Sequence, residues 1–222
     1  MKNYIYLFIL IAFLFTACGK KEEAKKDDRG AQEKKEMTVQ QKKDDSLKAA
    51  SEQMDREKKV KAALEEQKIL NDSLGQWVTG AEASSTYQDH KGTEGWSAEQ
   101  MIGKPDVETY GDNQKAWTSK ESQMGLEWVK LTYEKAVNAS EIKIRQTYNP
   151  GTIIQVELID ERGKSHTVWE GIDKAKYEQN TIQYFNVKFD KTDYKTKTVK
   201  ITLATNTLPG WKEIDAVQLI GN

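Results

Sequence analysis

Cysteine is nearly absent. The 222-residue chain has one, Cys18, so no internal disulfide can staple it. Histidine is almost as scarce, with only His90 and His166. Neither has a Ser, Asp or Cys partner in an activated-nucleophile pattern, and no cluster has transition-metal spacing. An excess of one charge sign is missing too: the formal net charge is -1. No basic stripe appears, which argues against a nucleic-acid partner. Acidic residues are plentiful, yet no spacing selects a pair for glycoside hydrolysis. A non-catalytic protein is therefore expected, with no catalytic cofactor.

Long apolar runs are also lacking. The longest, Tyr4 to Phe15, falls short of the roughly 20 residues that a spanning helix needs. It follows Lys2 and precedes the small residues Thr16 and Ala17, which is the layout of a signal peptide. Phe15, Thr16 and Ala17 before Cys18 resemble the bacterial lipobox, although Phe15 replaces the usual aliphatic residue. That resemblance implies cleavage before Cys18, lipid on its thiol and a membrane as partner. Gly19 follows where an aspartate would signal inner-membrane retention, so the expected address is the bacterial cell envelope, at the outer membrane.

Residues 19–75 read as a charged tether. From Lys20 to Asp72 roughly half the residues are charged, with both signs balanced. Proline does not occur there, so the segment is free to be helical, or a disordered spacer. Val60, Ala63, Leu70 and Leu74 fall near a heptad seam that Gln67 interrupts, too little for a coiled coil. Ile69 to Leu74 are candidates for docking on the domain. Asn71, Asp72, Ser73 and Gly75 mark a hinge.

From residue 76 the periodicity changes to short alternating runs with turn signals between them. Strands are expected at 126–137, 140–148, 152–160, 165–171, 181–189, 197–205 and 213–220. Residues 80–114 read as loop, with one short helix near Ser97–Ile102. Short, evenly spaced strands without long amphipathic helices between them predict an all-β sandwich or jelly roll.

The ordered series Ala83-Ser84-Ser85, WSAEQMIGKPDVETYGDNQKAWTS, LEWVKLTYEKAV, YNPG and WKEIDAVQLIG resembles the discoidin-like family, the coagulation-factor type C or galactose-binding-like domains. The resemblance covers roughly residues 76–222. It implies an eight-stranded antiparallel jelly-roll sandwich whose loops at one end bind ligands, very often carbohydrate. It also implies a structural calcium, with Asp112 of YGDNQ as the side chain to hold it. Gln218, standing where many relatives have glutamate, weakens that expectation.

The candidate ligand-binding residues are Trp96, Arg145, Tyr148, Asn149, Asn206 and Trp211. An exposed Trp stacks on the apolar face of a sugar ring. Arg offers a planar fork of donors, and Asn a donor with an acceptor. Trp117 and Trp128 are expected in the core. The reading is a membrane-anchored, non-catalytic binding module for carbohydrate at the envelope. The alternative is a protein-interaction or structural component of an envelope complex. In the last strand, Ile214, Ala216 and Ile220 are expected on one face. Val217 and Leu219 take the other with Asp215, which needs a partner if buried.

Overall fold

The computed structural model describes residues 29–222. The expected signal segment and Cys18, the expected lipidation site, lie outside the described residues. The chain divides into two compact units, Met1–Val60 and Lys61–Asn222. Helix α1 covers Arg29–Leu70, 42 residues. The tether is thus helical from Arg29 to Leu70, and the last ten residues of that helix fall in the second compact unit. Among the described residues no helix is long and apolar enough to cross a membrane.

Eight strands follow: β1 (Gly75–Ala83), β2 (Leu126–Val137), β3 (Ala139–Tyr148), β4 (Ile153–Asp160), β5 (Ser165–Glu170), β6 (Gln183–Lys188), β7 (Thr196–Ala204) and β8 (Glu213–Gly221). The seven strands expected from alternation are all present within one or two residues of their predicted ends. β1 is the addition, in a stretch whose Gly and Ala residues carry little strand signal. The order is β5-β4-β7-β2-β1-β8-β3-β6, with every neighbour antiparallel. β1 belongs to both layers: Gly75–Trp77 pair with β8, and Val78–Ala83 pair with β2 across an irregularity at Val78/Gly80. That switch makes the sheet a nearly closed sandwich, the jelly-roll class expected.

The core lies between the layers. Trp117, Leu131, Tyr133, Ile142, Ile144 and Leu219 are among its fully enclosed side chains. Truncating such a residue to Ala typically costs about 2–5 kcal/mol. Trp128 departs from expectation. Val129, Leu131 and Tyr133 face inward, so the alternation of β2 turns Trp128 to the outer surface, half-buried. The Ser84-Ser85 pair explains itself here: both hydroxyls donate to the buried carboxylate of Glu127, and the Ser85 carbonyl accepts the Trp117 indole N–H at 3.0 Å.

Every residue of β8 is buried, as its two apolar faces foretold. The face assignment differs, however. Arg145 pairs with Ala216 and Gln146 with Ile214, leaving Asp215 as an extra residue. A bulge of this kind advances the alternation by one position. Ile214 therefore joins Val217 and Leu219 in the core, and Asp215 turns outward to Arg145. The last turns of α1 lie against this outer face. Ile69 is buried, and the Gln218 side-chain amide donates to the Ile69 carbonyl at 2.8 Å. Helix C-termini leave such carbonyls without intrahelical donors. Gln218 is thus a helix cap, five positions along β8 from Glu213.

Candidate functional site

Antiparallel pairing throughout sends the connections 84–125, 149–152, 171–182 and 205–212 to one end of the sandwich. The short turns 161–164 and 189–195 leave from the other. Asn149 is the junction of the loop end. It takes φ +44, with Gly151 at +104, which is what the Asn-Pro-Gly turn provides. Its side-chain amide donates to the Trp211 carbonyl at 2.8 Å, and its backbone N–H donates to the Tyr110 hydroxyl at 3.3 Å. Gly210 has to be glycine, because a Cβ there would stand 2.8 Å from the Asn149 amide. Tyr148 packs edge-on to Tyr110, ring centres 5.6 Å apart.

A concavity of about 260 Å³ opens beside this junction, walled by Tyr110, Asn149, Pro150, Tyr177, Asn180 and Leu208. Burial, reinforced by a hydrogen bond to Asp173, raises the Tyr177 phenol well above its ordinary pKa. Tyr177 is therefore a fixed, neutral aromatic wall. It sits in a loop of mixed charge whose sequence gives no strand or turn motif, so nothing in the sequence singled it out.

Of the six expected ligand residues, the structure brings Tyr148, Asn149 and Trp211 to this junction. Trp96 reaches it indirectly, because Tyr87 packs edge-on to both Trp96 and Trp211 at 5.1 and 5.7 Å. Both indoles are half-buried in that cluster rather than presented as open platforms. Trp96 adopts φ +60, uncommon for so bulky a residue, and donates its N–H to Asp112 at 2.9 Å. The Trp211 indole N–H is buried without an acceptor. Asn206 is exposed in a short turn, Thr205–Thr207, and does not line the concavity.

Arg145 stands apart from the junction. It is 7% exposed. Its guanidinium donates to Asp215 at 2.5 Å and to the Val107 carbonyl at 2.8 Å, and lies 3.3 Å from Glu66 of α1. Most of its donors thus serve the protein. Arg145 points away from the core face of Ile142 and Ile144, and α1 covers that outer face. Burial raises the Asp215 carboxyl to about 6 despite this partner.

A second carboxylate pair lies under the loops. Glu213 is 1% exposed and hydrogen-bonds with Asp112, which itself is exposed. Burial, then Asp112, pushes Glu213 up to about 9. The Asn113 N–H at 3.1 Å and the Thr147 hydroxyl at 3.4 Å are its donors. Two carboxyls in contact cannot flank a glycosidic bond, which takes about 5 Å or more between them. They do suit a hard cation, which needs oxygens and lowers the energy of paired carboxylates. Asp112, Glu213 and Thr147 bring three side-chain oxygens to this point, part of the six to eight that calcium takes; among the described residues no group of three or more His, Cys, Asp or Glu that could hold a metal ion stands together. Glu213 was not foreseen, because a single Glu opening a strand carries no mark of burial.

Lys212 was not foreseen either. It is 3% exposed. Its ammonium donates to the carbonyls of Thr205 at 2.6 Å, Gly210 at 2.5 Å, Ser122 at 3.2 Å and Leu208. Burial lowers its pKa. The side chain acts as an internal cation that ties the loop before β8 to the loop before β2 and holds Leu208 in the concavity wall.

The eight antiparallel strands form a jelly-roll sandwich with four connections gathered at one end, the fold class to which galactose-binding-like domains belong. Residues 65–222 match the family described as pappalysin-1, SD scarf domain, C-terminal, and the chain belongs to that family. The match begins within the last turns of α1, in keeping with their place in the β unit. The discoidin-like resemblance holds at the level of fold. Among solved structures, the chain is similar to the family 32 carbohydrate-binding module of C. perfringens NanJ in complex with galactose, at 19% identity, covering 65% of this chain and 98% of that one, TM-score 0.44. It is similar to chitosan-binding module 1 of a Paenibacillus sp. IK-5 chitosanase/glucanase, at 14% identity over 64% and 94% of the two chains, TM-score 0.45. It is also similar to a Ruminococcus gnavus GH29 fucosidase, at 12% identity over 69% of this chain and TM-score 0.45, and it spans only 26% of that enzyme. No curated protein matches the chain.

Proposed function

We propose that this protein is an envelope-anchored, non-catalytic module that binds carbohydrate through the loop end of its sandwich. The observation that carries the reading is the concavity at Asn149, where the rigid rings of Tyr110 and Tyr177 stand beside side-chain amides from Asn149 and Asn180. Aromatic faces take the CH surface of a sugar, and amides serve its hydroxyls. Calcium at Asp112 and Glu213 would hold loop 103–119 against β8 and serve structure, not chemistry. The anchor rests on the sequence before Cys18, and outer-membrane residence on Gly19.

Glycan-array binding by the chain, lost in Tyr177→Ala while the melting curve stays cooperative, is the expected result. Silence of the folded chain across broad arrays would overturn the reading. One stoichiometric partner co-purifying from membranes would then favour the envelope-complex alternative. In cells, Cys18→Ala should move the protein from membrane to soluble fractions. Unchanged partitioning would refute the anchor.

A further inference from the structure

Pro150, Tyr177 and Leu208, three walls of the concavity at Asn149, also wall a second hollow of about 480 Å³. A Cβ placed on Gly151 would stand 3.6 Å from Tyr177 Cε2 and 3.7 Å from Leu208 Cδ1. The phenol ring and the leucine tip thus both stand over Gly151 and form an apolar ridge common to the two hollows.

Their linings differ. The first hollow has the side-chain amides of Asn149 and Asn180. The second has Ile153, Ile154, Ile172, Ala175 and Leu208, with Asp173 as its one charged residue. Both oxygens of Asp173 are in use within its own loop: one accepts the Ala175 N–H at 2.9 Å, the other the Tyr177 hydroxyl. The Thr207 hydroxyl in the same lining donates to the Ala204 carbonyl at 2.8 Å. What is left for a ligand is aliphatic surface. That surface is held open. The Gly171 N–H donates to the Ile154 carbonyl at 3.0 Å, which ties the start of loop 171–182 to β4 and sets Ile172 at the hollow's edge. Ile172 is 78% exposed, more than any other large apolar side chain among the described residues, and Leu208 is 40% exposed. Exposed apolar side chains gathered in one hollow, rather than scattered, mark a binding groove.

Resting on the carbohydrate reading above, we infer that the ligand is amphiphilic: a sugar seated at Asn149 that carries a saturated hydrocarbon chain, which crosses the ridge of Tyr177 and Leu208 into the aliphatic hollow. The chemical class is a glycolipid rather than a free saccharide. The shared walls select this occupant, because they put the aliphatic surface directly beside the sugar. A peptide in the second hollow would bring backbone polar groups that need partners, and the polar side chains there are already bonded within their own loops. A hydrocarbon chain needs none.

Calorimetric titration of the chain with matched methyl and octyl glycosides of galactose, glucose, mannose and N-acetylglucosamine, each below its micelle concentration, tests this. Octanol is the control without a sugar. For the sugar that the concavity accepts, the octyl form should bind roughly a hundredfold tighter than the methyl form, the gain from about three or four methylenes leaving water. The gain should survive high salt and bring a more negative heat-capacity change. Ile172→Ser alters an exposed side chain outside the core. It should remove severalfold of the octyl advantage and leave the methyl affinity unchanged. Equal affinity of the methyl and octyl forms would overturn the amphiphile and leave carbohydrate binding intact. An octyl advantage untouched by Ile172→Ser, or octanol binding as tightly as the octyl glycosides, would overturn the link between the two hollows. If no octyl glycoside binds while the folded chain still binds glycans on an array, only this inference falls. If the array is silent as well, the carbohydrate reading falls with it.

Discussion

Asp160 and Glu213 are both carboxylates that the sandwich takes out of water, at opposite ends. Asp160 closes β4 at the short-turn end. It accepts the backbone N–H groups of Arg162 and Lys164 at 2.9 Å each and the His166 imidazole at 3.1 Å. Those bonds, the imidazole first, bring its pKa down to about 2. Glu213 opens β8 at the loop end with fewer donors and a second carboxyl against it, and stands at about 9. Identical chemistry gives opposite shifts because one site supplies donors to the charged form and the other mainly removes water. A carboxyl fully served by its own turn has finished its work in the fold. One left short of donors beneath the loops is where a further partner, ion or proton, can be taken up.

The largest effect should come from Glu213. Between its ordinary value of 4.5 and about 9 the folded chain holds a proton that the unfolded chain releases. Stability in chelator should therefore fall as pH rises through that window. Asp215, raised from 3.8 to about 6, adds to the fall at the acid side. Glu213→Gln, which is neutral at every pH, should flatten most of the slope. Calcium should raise the melting temperature of the native chain above neutral pH and do nothing for the variant. A native slope of the opposite sign, or no calcium shift, would break the comparison at this end.

The two ends were not equally legible. The Asp160 turn announced itself as Glu161-Arg162-Gly163-Lys164 between alternating runs, because local hydrogen bonds leave a local sequence mark. Strand positions were legible for the same reason, down to β2 at 126–137. The loop end is assembled from partners far apart in sequence: Glu213 with Asp112, Arg145 with Asp215 and Glu66, Lys212 with Ser122. None of those distances leaves a periodic trace. The β8 bulge is a further example. Strict alternation put Asp215 beside Val217, and one inserted residue moved it to Arg145. Asn149 could be named in advance because its turn is local, whereas Tyr177 is placed only by the fold.

Gln218→Glu should give the next effect. It sets an under-served carboxylate at the short-turn end of β8, copying the Glu213 condition where no loop compensates. The native amide donates to the Ile69 carbonyl at 2.8 Å, and position 218 is fully buried. A carboxylate would face that carbonyl with acceptors only, so about 1–3 kcal/mol should be lost. Chemical denaturation should show the loss, and it should shrink at low pH, where the new acid regains a proton and a donor. A pH-independent loss would point to shape rather than charge.

Asp160→Asn should give the smallest effect, a loss present near neutral pH that disappears in acid, where the native carboxylate is protonated as well. A group with a depressed folded pKa stabilises above its unfolded value and loses that contribution as pH falls through the folded one. For Asp160 the window runs from 3.8 to about 2. Near neutral pH the variant amide oxygen still accepts from Arg162 and Lys164, so the turn keeps its shape and only the charge-assisted part of each bond weakens. The native chain should lose stability across the acid window while the variant stays flatter, the reverse of the Glu213 slope in both sign and range. His166→Gln should produce a milder copy, because the imidazole contributes most to the shift. Matching slopes in the native chain and His166→Gln, with Asp160→Asn alone flat, would mean that the turn amides hold Asp160 without the imidazole; matching slopes in all three would mean that Asp160 does not titrate differently on folding, and would end the contrast between the two ends.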